Sequence, residues 1–365
     1  MRVTLGDVCE KGASNLKQSD VVNMTGEYPI YGAAGYIGNV DFYHQEKPYV
    51  AIVKDGAGIG RTTLYPAKSS VIGTMQYLLP KDNVLPEYLC YVVRHMHLEK
   101  YFTGATIPHI YFRDYKNEQF SLESLDKQAE IIEILGKAES IVLKRRKELA
   151  ELDNLIKARF VEMFGDPVNN SKNLPELTLP ELGEFGRGVS KHRPRNDPKL
   201  LGGEYPLIQT GEVANSELYI TNYENTYSEL GLKQSKMWKS GTLCITIAAN
   251  IAKTAILTFD ACFPDSVVGF NANTKTNNIF VHYWFSFFQA ILEAQAPESA
   301  QKNINLKILS ELKIIVPPIE KQNEFVAFVE QIDKSKVVES IHRMNVLFNI
   351  TLNGGNRYDS GTNEC

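Results

Sequence analysis

Two short segments contain the residue types of a divalent-metal nuclease. Such an enzyme binds its metal ion through carboxylates and keeps a lysine close by, and Pro264-Asp265 and Glu311-Leu312-Lys313 carry these groups. The two segments are far apart in the chain, and the matching place in the first half reads Asn117-Glu118-Gln119. We therefore interpret these carboxylates and the lysine as surface charges.

Two other motifs resemble ligand sites but fit a turn and a helix better. The glycine-rich segment 55–60 would bind a phosphate only if it led into a helix, whereas strand-like sequence follows Arg61 to Pro66. His95-Met96-His97 has no further ligands at the spacing of a zinc site. We predict a tight turn at 55–60 and an amphipathic helix between Tyr88 and Tyr101.

The sequence contains no recognisable catalytic motif. Zinc-protease, serine-hydrolase and Walker-type sequences do not occur. The Pro-Pro pair stands between Val316 and Ile319, so it does not form the Asp/Asn/Ser-Pro-Pro-Tyr/Phe tetrapeptide of DNA amino-methyltransferases. We expect no catalytic site, no metal site and no cofactor in this chain.

The composition is that of a globular protein with no charge bias toward nucleic acid. The length of 365 residues predicts about two or three domains. With 39 Lys+Arg against 43 Asp+Glu, bulk charge does not favour a nucleic-acid partner. No signal peptide and no apolar run of about 18 residues is found. Five scattered cysteines indicate reduced thiols, and we expect a cytoplasmic protein without a membrane partner.

The chain contains a long internal duplication. Residues 5–8, 26–29, 70–73 and 125–128 resemble residues 182–185, 203–206, 266–269 and 319–322. A repeat of about 190 residues is far longer than the units of a solenoid. The sequence therefore predicts two copies of a whole domain with its connector.

Each half begins with short β-like runs and ends in a helix. The strand-like runs are residues 49–53, 70–79, 243–247 and 254–259. The first helix is predicted over 125–164, because apolar residues recur in steps of three and four until Gly165-Asp166-Pro167 stops it. At 1.5 Å per residue such a helix is roughly 60 Å long and needs a partner. The second helix, after Val316-Pro317-Pro318, is expected to pair with it antiparallel.

This ordered pair of halves resembles the specificity (S) subunit of type I restriction–modification enzymes. Residues 314–322, IIVPPIEKQ, are similar to the family's IPLPPLxEQ sequence before a spacer helix, and residues 120–128 are a degraded copy. Residues 28–38 and 54–61 resemble segments of the family's target recognition domains. The resemblance extends to about residue 350.

The resemblance implies an α+β fold with two β-rich target recognition domains in a pseudo-twofold repeat, joined by two long antiparallel coiled-coil helices. The implied segments are target recognition domain 1 (1–120), a central spacer helix (121–166), target recognition domain 2 (167–318), a C-terminal spacer helix (319–350) and a polar tail (351–365).

The implied function is recognition of a bipartite target in double-stranded DNA. Each domain would bind one half, and the helices would set the spacer and bind two modification subunits, with restriction subunits joining in the full complex. S-adenosylmethionine, ATP and Mg²⁺ would belong to those partner subunits only. The alternatives are a divalent-metal nuclease, a specificity remnant of a fused restriction enzyme, and a coiled-coil scaffold.

Candidate DNA-contacting residues are polar or cationic side chains in loops, because such groups reach base edges and phosphates. In the first half these are Lys54, Arg61 and Lys68 around the glycine-rich turn, and Thr103, Thr106, His109, Tyr111 and Arg113 in the segment before the long helix. In the second half they are the basic cluster Lys191, His192, Arg193 and Arg195, and further along Gln209, Thr210, Asn250, Lys253, Thr254, Gln301, Lys302 and Asn303.

Overall fold

A computed structural model describes residues 1–103, 108–248, 250–295 and 304–336. Among them, the residues up to Lys144 form a first unit, and those from Arg145 onward form a second. No helix in these ranges combines the length and apolarity needed to span a bilayer. The limits predicted for the five segments stay a prediction.

The first unit contains short helices and three small sheets, of two, three and four strands. Its strands are β1 (Arg2–Thr4), β2 (Cys9–Ala13), β3 (Tyr28–Gly32), β4 (Gly35–Val40), β5 (Tyr49–Val53), β6 (Thr62–Tyr65), β7 (Ser70–Val71), β8 (Met75–Pro80) and β9 (Gln119–Ser121). Its helices are α1 (Leu5–Val8), α2 (Gln18–Val21), α3 (Pro86–His95) and α4 (Phe112–Tyr115), with a 3-10 helix at Leu98–Tyr101.

The central sheet of this unit has the strand order β2-β8-β5-β6, and a smaller sheet has the order β4-β3-β7. All five residues of β5 are buried, because alternate side chains point to opposite faces and both faces are covered. Val50 and Ile52 pack in the core that includes α3, while Tyr49, Ala51 and Val53 pack in a second core. The predicted strand 49–53 is confirmed.

The predicted long helix is also confirmed as α5 (Leu125–Phe164), 40 residues in length. Its first part belongs to the first unit and its last part to the second. It ends at Gly165, whose φ of +79° favours glycine. A Cβ at this position would also collide with the Ser171 hydroxyl. The predicted stop signal therefore acts as expected.

The second unit follows the same plan with longer connections. Its strands are β10 (Glu176–Leu177), β11 (Gly183–Arg187), β12 (Leu201–Leu207), β13 (Tyr219–Ile220), β14 (Asn225–Tyr227), β15 (Met237–Trp238), β16 (Leu243–Thr246), β17 (Thr254–Leu257), β18 (Ala261–Cys262), β19 (Val267–Ala272) and β20 (Ile314–Ile315). Its helices are α6 (Leu179–Leu182), α7 (Thr210–Asn215), α8 (Glu229–Lys233), α9 (Asn278–Gln295), α10 (Leu306–Glu311) and α11 (residues 319–336), with a 3-10 helix at Pro198–Leu200.

The sheet topology repeats between the units. The order β11-β19-β16-β17-β13 repeats β2-β8-β5-β6 with one added edge strand, and β14-β12-β18-β15 extends the pattern β4-β3-β7. In each unit, an opening strand pairs antiparallel with the strand before the long helix: β1 with β9, and β10 with β20. The predicted duplication of a whole domain is therefore confirmed.

Two of the predicted matches between the halves have the wrong register. Thr4 and Thr178 each donate a hydroxyl hydrogen bond of 2.7 Å to a carboxylate three residues later, so Leu5–Val8 corresponds to Leu179–Leu182 rather than to 182–185. Likewise β7 corresponds to β18, because each lies parallel to the strand β3 or β12. Residues 266–269 instead enter β19. The short similar phrases at these positions are therefore not structurally equivalent.

The last part of α5 packs antiparallel against α11 inside the second unit. Phe160 and Phe325 have ring centroids 5.3 Å apart, and Arg159 contacts Glu324 at 3.3 Å. Further along, Arg145 donates a hydrogen bond of 2.5 Å to the carbonyl of Lys336. The predicted antiparallel pairing is confirmed for these residues. The remainder of the predicted helix, 337–350, and the predicted tail, 351–365, lie outside the described residues.

The Phe160 cluster gives a test of this packing. Phe160 is fully buried against Phe280 and Phe325, so Phe160→Ala is expected to lower the free energy of unfolding of the second unit by about 3–5 kcal/mol. Both tryptophans, Trp238 and Trp284, are buried in this unit, so tryptophan fluorescence in a urea titration measures the change.

Leu155→Ala on the same helix is the control. Leu155 is 50% exposed, and its truncation should change stability by no more than about 0.5 kcal/mol. Equal effects of the two substitutions would contradict the burial of Phe160 between α5 and α11.

Candidate DNA interface

In the first unit, the turn between β5 and β6 forms a compact, glycine-dependent loop. Gly56, Gly58 and Gly60 have φ values of +84°, +82° and +81°, which side-chain-bearing residues rarely adopt. The backbone N–H of Val53 donates to the carbonyl of Arg61 at 3.0 Å and closes the loop. Strand β6 follows directly at Thr62. The predicted tight turn is therefore confirmed.

This turn is fastened to the segment that precedes α4. The N–H of Gly56 donates to the Pro108 carbonyl at 3.0 Å, and the N–H of Ile110 donates to the Lys54 carbonyl at 2.9 Å. The imidazole Nδ1 of His109 lies 2.6 Å from a carboxylate oxygen of Asp55. The structure thereby brings the predicted residues Lys54 and His109 together, and Asp55 is a member that sequence analysis missed.

Further predicted residues lie beside this junction. Thr103 exchanges two backbone hydrogen bonds of 2.8 Å with His109. The exposed ring of Tyr111 stacks near His109 and has the Arg113 guanidinium 4.9 Å from its centroid. Arg61 is exposed and donates to the Ala33 carbonyl at 2.5 Å. Hydroxyl, imidazole and guanidinium donors are thus available to base edges or phosphates.

One predicted residue of the first unit does not belong to this group. Lys68 lies beyond the opposite end of β6 from Arg61, next to the bridge between Gln45 and Ser69. The four residues of β6 span about 13 Å. The prediction that Lys68 lies around the glycine-rich turn is wrong. Residues on either side of a strand lie at its opposite ends even when they are close in sequence. Thr106 lies outside the described residues.

The second unit contains an equivalent turn between β16 and β17. Here the N–H of Thr246 donates to the Lys253 carbonyl at 2.9 Å, and the N–H of Ile304 donates to the Ile247 carbonyl at 3.0 Å. These bonds match those made by Val53 and Ile110 in the first unit. Lys253 therefore occupies the position of Arg61, and each unit carries a cation at the end of the same turn. Asn250 is exposed within this turn.

Thr254, by contrast, is not available to a ligand. It is only 7% exposed, and its hydroxyl lies 2.9 Å from Nδ1 of His282 on α9. Because β17 begins at this residue and is buried throughout, the prediction of a DNA contact is wrong. Burial also lowers the pKa of His282 from 6.5 to about 4.

The predicted basic cluster 191–195 is largely compensated by carboxylates. Arg195 and Arg193 both contact Asp265, the latter at 3.6 Å. His192 lies 3.1 Å from a carboxylate oxygen of Asp197. Asp265 is a surface charge, as predicted, but it also holds two arginines in place. The cluster therefore presents oriented donors rather than a concentration of free positive charge.

Part of this cluster borders a cleft of about 700 Å³ within the second unit. The predicted residues Arg195, Gln209 and Thr210 line it. Polar residues that sequence analysis missed also line it: Arg187, Ser190, Asn196, Asn225, Ser266 and Asn305. The hydroxyl of Ser190 is buried there without a hydrogen-bond partner. The duplication gave no indication of Arg187, because the residue at the same position of β2 is Ala13.

Three predicted residues of this unit, Gln301, Lys302 and Asn303, lie outside the described residues. In the described ranges no group of three or more His, Cys, Asp or Glu side chains is arranged to bind a metal ion. The described cysteines, Cys9, Cys90, Cys244 and Cys262, are buried and free. Burial raises the pKa of the Cys9 thiol to about 12.

Comparison with known families decides the classification. A family model for the type I restriction modification DNA specificity domain matches residues 1–154 and 176–345. The chain belongs to this family. Two copies of the specificity domain thus correspond to the two units and their helices.

Relatives and a solved structure agree with this assignment. The putative type I restriction enzyme MjaX specificity subunit of Methanocaldococcus jannaschii is 23% identical over 318 residues, covering 81% of this chain and 75% of that protein. The putative specificity subunit S.HindORF215P of Haemophilus influenzae is 21% identical, covering 86% and 82%. The crystal structure of the type I S subunit from M. genitalium shares the fold, with a TM-score of 0.54, 15% identity and coverage of 96% and 93%.

The buried histidine gives this specificity domain a predicted pH dependence. His282 has a lowered pKa in the folded state, so the unfolded chain binds more protons between about pH 6.5 and pH 4. The contribution of His282 to the free energy of unfolding of the second unit should be fully present above pH 6.5. It should fall on acidification by up to about 1.4 kcal/mol per pH unit. Urea titrations at pH 7, 6 and 5, followed by tryptophan fluorescence, measure this.

His282→Gln is expected to reduce this pH dependence, whereas His192→Asn at an exposed position should retain it. If the two variants and the parent protein show the same pH dependence, His282 is not its source.

Proposed function

We propose that each specificity domain recognises one half of a bipartite target in double-stranded DNA. The chain is a type I restriction–modification specificity subunit with two target recognition domains. The observation that carries the proposal is the repeated turn: Val53 and Thr246 close it by donating to the carbonyls of Arg61 and Lys253, and Ile110 and Ile304 fasten it by donating to the carbonyls of Lys54 and Ile247. Because the residues around the two turns differ, each domain would recognise a different half-site.

In this proposal the first domain uses Arg61, His109 and Tyr111, which lie around its turn. The second uses Lys253 at its turn and Arg195, Gln209 and Thr210 at its cleft. Arginine and glutamine pair with the edges of guanine and adenine in the major groove, while lysine and hydroxyl groups suit phosphates.

We further propose that α5 and α11 set the spacer between the half-sites and bind two modification subunits, with restriction subunits completing the assembly. The chain would be non-catalytic, and S-adenosylmethionine, ATP and Mg²⁺ would be bound by the partner subunits. The net charge of −4 supports a need for partners, because counterion release supplies much of DNA affinity. The isolated chain should therefore bind DNA weakly and with strong salt dependence.

The alternatives have less support. The comparisons give no support to a nuclease or to a fused restriction enzyme. The carboxylates considered for metal binding already have cationic partners: Asp265 contacts two arginines, and Glu311 lies 3.7 Å from Lys307. A pure scaffold would show no sequence preference, which the following experiment tests.

The test is methylation mapping of the chain co-expressed with its modification subunit. We expect one bipartite motif of modified adenines with a fixed gap. Arg61→Ala and His109→Ala should relax base requirements only in one half, and Gln209→Ala only in the other, each by about tenfold or more. Methylation rates on single-base variants of the motif quantify the change.

Lys68→Ala, at the far end of β6, should leave the motif unchanged. Changes that affect both halves equally would contradict the assignment of one domain to one half-site. Complex formation without a motif would favour the scaffold. Mg²⁺-dependent cleavage by the isolated chain that is lost in Asp265→Ala or Lys313→Ala would establish the nuclease instead.

A further inference from the structure

A fully buried glutamine lies in the first turn of α5. The side-chain oxygen of Gln128 accepts a hydrogen bond of 2.8 Å from the N–H of Leu85. Its amide nitrogen donates to the carbonyls of Asn83 and Glu123, at 3.0 and 2.9 Å. The side chain thus joins the start of the helix to the turn that precedes α3, a helix packed on the central sheet.

The second unit repeats this arrangement at Gln322 in α11. The Gln322 amide nitrogen donates to the carbonyls of Lys275 and Pro317 at 3.0 and 2.9 Å, and its oxygen accepts from the Thr276 hydroxyl at 2.9 Å. Here too one partner lies five residues before the glutamine, and the others lie in the turn before the helix on the sheet, α9. Both glutamines are 0% exposed.

The contact is specific for a primary amide. Two backbone carbonyls need donors and one N–H or O–H group needs an acceptor, which a glutamine supplies together. A leucine would remove all three hydrogen bonds in either unit, each at a cost of up to about 1–3 kcal/mol where the partner group is shielded from water. The same solution appears in both units although the prolines before α11 are absent before α5. The two copies therefore share the geometry of attachment together with the Lys-Gln pair at 127–128 and 321–322, although the residues just before the helix differ.

The length of the helix makes its attachment critical. A tilt of about 3° at one end of a 40-residue helix displaces the other end by about 3 Å. This is close to the rise of one base pair, about 3.4 Å. A helix that measures a spacer to a single base pair therefore needs an anchor with little rotational freedom at each domain.

We propose that Gln128 and Gln322 are positioning residues that set the spacer length the protein accepts, by fixing the direction in which each helix leaves its domain. This inference rests on the proposed function. It assigns spacer discrimination to two buried amides that touch no DNA, and it leaves base recognition to the loops described above.

The test compares methylation by the complete complex on targets that keep both half-sites and differ only in the gap. The ratio of kcat/KM between the parent gap and a gap one base pair longer or shorter is measured for the parent chain, Gln128→Leu and Gln322→Leu. We expect this ratio to fall by about tenfold in each variant, with the base requirements of both half-sites unchanged.

Controls separate this role from general destabilisation. Val40→Ala and Cys262→Ala create cavities at fully buried positions in cores that do not include the helix starts, and should lower activity on all gaps without changing the ratio. If a leucine variant does not fold, Thr276→Val removes one of the three hydrogen bonds of Gln322 and should lower the ratio by a smaller factor.

An unchanged ratio in folded Gln128→Leu, Gln322→Leu or Thr276→Val complexes would overturn the inference while leaving the proposed function intact. Absence of any bipartite motif in the parent complex would instead overturn the proposed function, and this inference with it.

Discussion

The buried amides of Gln128 and Gln322 fix the start of each long helix within its own unit. A hydrophobic side chain tolerates small shifts of its neighbours, whereas a buried amide must keep three hydrogen bonds at about 3 Å. Each glutamine therefore defines one position of the helix start relative to the turn before α3 or α9. Because α3 and α9 pack on the central sheets, the same hydrogen bonds also fix the position of the strands and their loops relative to the start of the long helix.

Local sequence patterns predicted the elements well but not their partners. The strand Tyr49–Val53 and the helix Leu125–Phe164 lie where they were predicted, because periodicity and stop signals are encoded locally. The burial of Thr254, the ion pairs of Asp265 and the position of Lys68 depend on residues that are distant in sequence. The register of the duplication failed for the same reason: strand pairing, rather than a short similar phrase, decides which residues correspond.

In both candidate interfaces, cationic side chains lie beside carboxylates. His109 faces Asp55 in the first unit, and Arg193 and Arg195 face Asp265 in the second. A carboxylate beside a cation reduces attraction to any phosphate but holds the donor in one orientation. Such pairs favour discrimination between bases over non-specific affinity. Under the proposed function, these residues would contribute more to base selection than to affinity.

The pairing of β1 with β9, and of β10 with β20, has an evolutionary consequence. In each unit the chain enters and leaves the β-rich body on adjacent antiparallel strands, with the Met1 ammonium group 2.9 Å from the Leu122 carbonyl in the first unit. The residues between the paired strands therefore resemble an inserted domain whose two ends lie side by side. The fold therefore permits recombination to replace one body with a foreign one while the helix that follows keeps its starting point.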